Sequence, residues 1–198
     1  MRLYLKDINE LSPWFLGVCL AAIICDKYFK MQIDLLLYLF ALVSGSIIFG
    51  KESESKTISF LEALPVTKKR IWFSKILNTL SVNLFLVGVL ILYFLAKNNG
   101  HNYTMFCGKG FLPNVSMLFN ITSFSVLSSI IMKKTISAIF GALLGLFLFH
   151  SFFGLVFLQA QSVFIFKGKL AVEFISVLYL MSAVLCYYLS FKLYTRRG

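Results

Sequence analysis

Residues 135–166 read TISAIFGALLGLFLFHSFFGLVFLQAQSVFIF, a run without one Asp, Glu, Lys or Arg. A helix rises about 1.5 Å per residue and the hydrocarbon core of a bilayer is about 30 Å thick, so roughly 20 such residues suffice to cross it. The rest of the chain has the same character. Of 198 residues, 59% are hydrophobic and only 14% charged, which leaves too few polar residues to coat a globule. The expected fold class is an all-α integral membrane protein.

Working outward from that run, charged and turn residues divide the chain into six transmembrane helices, at about 12–29, 33–50, 76–96, 111–132, 135–157 and 171–191. No linker or composition shift interrupts them, so 1–198 reads as a single transmembrane domain. The first two spans have short uncharged cores, with Asp26, Lys27 and Lys30 snorkelling at the membrane surface. The fifth run has the opposite problem, being too long for one span. A span ending near Phe157, followed by a re-entrant or interfacial segment containing Gln159 and Gln161, takes up the excess. Ahead of span 1, Tyr4, Ile8, Leu11 and Phe15 recur at helical spacing, which predicts a short N-terminal interfacial helix. Asp7 and Glu10 break up the basic stretch that a cleaved signal peptide would need.

The net charge is +11, but its placement argues against nucleic acid as a partner. The Lys and Arg residues sit in short clusters between apolar runs and form no continuous basic stripe. Counted on alternate sides of the six spans, thirteen fall on the side of both termini and six on the other. By the positive-inside rule both termini are cytoplasmic, and lipid is the surrounding solvent. Cys19, Cys25, Cys107 and Cys186 show no metal-ligand spacing. His101 and His150 likewise have no Asp, Glu or Cys at ligand spacing, so no metal site is expected.

The longest inner connection, 51–75, reads KESESKTISFLEALPVTKKRIWFSK. Thr57, Phe60, Leu61 and Leu64 share one helical face, and Pro65 ends that helix. Thr67 is placed to cap a second helix that starts at Lys68 and runs into span 3. A short amphipathic helix on the inner membrane surface, joined to a spanning helix, suits either anionic lipid or a soluble partner.

Glu54, Thr57, Phe60, Leu61, Leu64, Pro65, Val66, Thr67, Lys68, Arg70, Ile71 and Lys75 resemble the signature of type-2 ABC exporter permeases. The resemblance implies a cytoplasmic coupling helix between spans 2 and 3 that docks into an ATPase subunit. Glu54, Thr57, Phe60, Leu61, Leu64, Pro65, Lys68 and Arg70 are then the coupling residues. It further implies a multi-pass protein of the cell (plasma) membrane, paired with a second permease subunit as a homodimer or heterodimer, and acting as an exporter. ATP would be used by the partner, and no cofactor is bound by this chain. The sequence contains no GxxxxGK[ST] phosphate loop, in keeping with that division of labour. The alternative from another class is a non-transporting immunity or regulatory protein that uses the same helix to bind a partner.

Nothing in the chain points to an enzyme. His150 and Ser151 are adjacent but have no acidic group to orient them, so an interhelical hydrogen bond or a cavity position is expected for His150. Ser137, Gly141 and Gly145 fall at four-residue intervals and allow close backbone approach to another helix. The resemblance suggests that spans 2 and 5 face the dimer partner and a central cavity, which makes these three residues and His150 candidates for that face. Span 4 is rich in Ser, Thr and Asn, either as packing contacts or as the lining of a path.

Overall fold

The computed structural model describes residues 12–21, 24, 34–54, 67–97, 111–163 and 169–196. The described residues are helical apart from short connections, with no strand among them. We number the helices α1 (Ser12–Ala21), α2 (Asp34–Glu54), α3 (Lys68–Lys97), α4 (Phe111–Met132), α5 (Thr135–Val163) and α6 (Lys169–Arg196). Four stretches are long and apolar enough to cross a membrane: Lys68–Gly88, Leu112–Met132, Thr135–Phe153 and Glu173–Arg196. The apolar parts of the first two helices, Ser12–Ala21 and Leu37–Gly50, are shorter.

Helix starts and stops follow local chemistry. The carbonyl of Thr67 accepts from the amides of Arg70 at 2.9 Å and Ile71 at 3.2 Å, so α3 begins at Lys68 as its sequence predicts. Between α4 and α5 only Lys133 and Lys134 intervene. Lys133 has a φ of 61° and its amide donates to the Ser129 carbonyl at 3.2 Å, a left-handed cap that closes α4.

α5 runs as one helix of 29 residues through Gln159 and Gln161 to Val163, and its candidate span is Thr135–Phe153. No Gly or Pro stands between Leu155 and Val163, and Gln and Ala are good helix formers, so nothing there breaks the ladder. At 1.5 Å per residue α5 is about 43 Å long, longer than the hydrocarbon core of a bilayer at about 30 Å. The N-terminal interfacial helix and most of the coupling helix fall on residues 1–11 and 55–66, outside the described residues.

α4 is the hub of the bundle. It packs against α6, α2 and α5, and more lightly against α3. It is the most buried of the spanning helices, and α5 the least. Two apolar clusters fill the interior. One joins Leu37, Phe40 and Leu42 of α2 to Leu86 of α3, Leu118 and Ile121 of α4 and Ala142 of α5, with Phe15 of α1 set against Phe40 and Phe85. The other joins Ile47, Ile48 and Phe49 to Trp72, Ile76, Val126 and Ile130, and is flanked by Tyr187, Phe191 and Tyr194 of α6. The outside is equally apolar: Ile136, Phe140, Leu144 and Phe147 of α5 and Met181, Val184 and Leu185 of α6 are all more than half exposed. A bundle that is apolar outside as well as inside is built for lipid or for another apolar subunit.

Candidate functional site

Two features stand out from this apolar frame: a buried polar seam, and the end of the bundle from which segment 55–66 departs. The seam begins with spacing. Lys75, Thr79 and Asn83 recur every four residues along α3, which puts them on one face. That face is turned inward, and all three are buried. Thr79 satisfies itself by donating to the Lys75 carbonyl at 2.8 Å. Asn83 reaches two helices at once, its amide nitrogen donating to Ser44 Oγ on α2 at 3.2 Å and to Thr122 Oγ1 on α4 at 3.3 Å. Its Oδ1 is buried without a hydrogen-bond partner.

The seam continues between α2 and α4. Ser125 donates to the Leu42 carbonyl, and Ser46 bonds Ser125 Oγ at 3.0 Å. These bonds require a close approach, and Gly45 permits it. A Cβ there would lie 2.7 Å from Ser125 Oγ and 3.1 Å from the backbone nitrogen of Val126. On the far side of α4, Asn120 donates to the Tyr179 carbonyl of α6 at 3.2 Å and to Ser182 Oγ. Ser128 donates to the Ala138 carbonyl of α5 at 2.7 Å. The polar residues of span 4 thus act as fasteners to α2, α3, α5 and α6.

Contacts among aromatic and small residues define one end of the bundle. Phe49 lies 6.1 Å from Tyr194, and Trp72 lies 5.1 Å from Phe191. Gly50 abuts Thr135. The end of α2, the start of α3, the α4–α5 turn and the end of α6 therefore meet. Lys68, Lys69, Arg70, Lys133, Lys134, Lys192 and Arg196 belong to these four pieces, so this end is strongly basic.

Of the residues expected to couple to a partner, Glu54 is the last of α2, Lys68 the first of α3, and Arg70 lies exposed in the first turn of α3. Thr57, Phe60, Leu61, Leu64 and Pro65 lie outside the described residues. Among the candidates for a cavity or dimer face, Gly141 and Gly145 sit against α4 of the same chain. Added Cβ atoms would meet Ser128 Oγ at 2.5 Å and Phe124 at 2.9 Å. Ser137 is half-buried. His150 bonds the Leu146 carbonyl through Nδ1 at 2.8 Å, and its ring lies 5.5 Å from that of Tyr179. Its Nε2 is buried without a hydrogen-bond partner, while Ser151 is exposed.

Sequence reasoning placed Lys75 in the family signature but missed its burial, and it passed over Asn83 inside an apparently clean span. The four-residue spacing of polar residues along α3 was the available signal.

Searches among curated proteins and solved structures gave no match. A family model described as ABC-2 family transporter protein matches residues 4–170. That match takes in α1 to α5 and segment 55–66, and stops at the start of α6. The chain belongs to the ABC-2 family of transporter proteins, and is a multi-pass membrane component of a transporter whose family works with an ABC ATPase subunit.

Proposed function

We propose that the chain is the permease subunit of an ATP-driven exporter, a single transmembrane domain working with a second permease subunit and with ATPase subunits. In this reading all six apolar segments cross the cell membrane and both termini are cytoplasmic. Segment 55–66 forms the coupling helix, gripped by the ATPase through the face carrying Thr57, Phe60, Leu61 and Leu64. ATP is consumed in the partner. Its closure pulls on the coupling helix, and α2 and α3 carry the motion into the bilayer, where access to a cavity between permeases alternates.

The observation that carries this reading is the rooting of segment 55–66. It leaves from the end of α2 and returns at the start of α3, two helices fastened to each other in the interior by Asn83 and Ser44. A force applied there is delivered to a buried core, not to a loose loop. The test is capture. Replacing both Leu61→Asp and Leu64→Asp should abolish co-purification of the ATPase subunit while membrane insertion is unchanged. Full ATPase capture by the double variant would remove the coupling face from the account.

A further inference from the structure

We infer that Lys75 is a positioning residue that fastens the two helices rooting segment 55–66 into one stiff fork. The inference deepens the exporter reading and rests on it for its purpose, though the fork itself is a property of this chain alone.

Lys75 is 1% exposed, among the most deeply buried large side chains in the protein. Its ammonium donates to the carbonyl of Ile48 at 3.1 Å and lies 5.4 Å from the centroid of the Phe49 ring. Both groups belong to α2, so the contact is a bridge between helices. The bridge sits about 9 Å of helix in from Glu54 on one side and about 10.5 Å in from Lys68 on the other.

Stability does not explain the charge. Burying an ammonium is costly, and replacing buried charges by apolar groups of similar size is often neutral or stabilising. Ile48 lies inside α2, so its carbonyl keeps a ladder partner whether or not the lysine is present. A lysine two turns from a helix end also has the reach to snorkel outward, yet this one turns inward. The surroundings are already packed by Ile47, Trp72 and Ile76. Apolar packing of this kind resists separation but is tolerant of small slides. A charged donor that bonds the Ile48 carbonyl and sits over the Phe49 ring fixes the register of α3 on α2. A fork of fixed register moves as a unit when its tip is pulled.

The experiment uses the full chain in nanodiscs, with the four native cysteines replaced by Ala and spin labels on Ser53→Cys and Lys69→Cys. Double electron–electron resonance then reads the distance between the roots, with no ATPase present. The unaltered Lys75 background should give a narrow distribution. Lys75→Met should widen it about twofold while the thermal midpoint stays the same. An equal width in both would overturn the inference. So would a Lys75→Met chain that fails to fold or insert, because the lysine would then be a folding requirement. In the complex, Lys75→Met should still capture the ATPase subunit but lose any ATP-dependent change in this distance. If the wild-type chain captures no ATPase, the exporter reading fails while the distance result still decides the fork.

Discussion

Gly45 of α2 and Ser125 of α4 stand so close that a methyl group on the glycine would meet the serine hydroxyl at 2.7 Å. The same approach brings Ser125 within reach of the Leu42 carbonyl. One missing side chain and one hydroxyl therefore set the spacing of the two helices at the heart of the bundle. Gly45→Ala should destabilise the chain by about 1–3 kcal/mol, the range for overpacking, because the nearest backbone atom of Val126 cannot swing away. Gly88 is the control. A Cβ there meets nothing within 4 Å, and Gly88→Ala should be neutral or stabilising by up to about 1 kcal/mol. Denaturant titration of both variants in one detergent reads the difference directly.

Asn83 makes a prediction by contrast of two substitutions. Its partners Ser44 and Thr122 each also donate to a carbonyl of their own helix, Ala41 at 3.1 Å and Leu118 at 2.8 Å. Asn83→Leu therefore strands no donor and should cost no more than about 1–2 kcal/mol, the scale of hydrogen bonds between membrane helices. Asn83→Asp puts a carboxylate where the amide was, at a buried site beside the Ser44 and Thr122 hydroxyls, and should lower the folded yield sharply. Size-exclusion profiles after extraction, with circular dichroism melts, separate the two.

Lys133 carries the one positive φ recorded for a non-glycine residue among those described. Glycine adopts that conformation without the strain that a Cβ brings, so Lys133→Gly should raise stability by roughly 1 kcal/mol. A fall in the melting temperature would show that the side chain or charge of Lys133 outweighs the backbone strain.

How far the sequence reached depended on punctuation. α4 was legible at both ends because Lys133 and Lys134 stop it and a polar stretch precedes it. The start of α3 was legible because Pro65 and Thr67 mark it. The end of α5 was not, since an uncharged run contains nothing to say whether a helix continues or folds back, and continuous helix is the cheaper way to satisfy backbone groups in lipid. The four-residue stripe of small residues on α5 did signal close approach. The structure seats Gly141 and Gly145 against α4 of the same chain. The burial of Lys75 was hidden for a different reason. A lysine near a basic junction reads as surface, and only the helix facing it reveals a carbonyl and a ring in reach.

The polar seam also has a bearing on motion. Hydrogen bonds between α2, α3 and α4 are directional, so they favour a few discrete arrangements over continuous sliding. Serine-to-alanine changes at the α2–α4 contact should loosen it without unfolding the chain. Ser125→Ala should cost about 1 kcal/mol by the same denaturant titration, and a loss well above that would mean that the contact holds the whole bundle.

If segment 55–66 lies on the inner face of the membrane within the grip of an ATPase, as proposed, its reach by a label depends on the side of approach and on the partner. In a cysteine-free background, Ser59→Cys is exposed to a membrane-impermeant maleimide in intact cells and in inverted vesicles, with and without the ATPase subunit. No labelling is expected in intact cells, with full labelling in inverted vesicles and protection when the ATPase subunit is bound. Labelling of intact cells from outside would put the segment on the wrong face and overturn the proposed coupling.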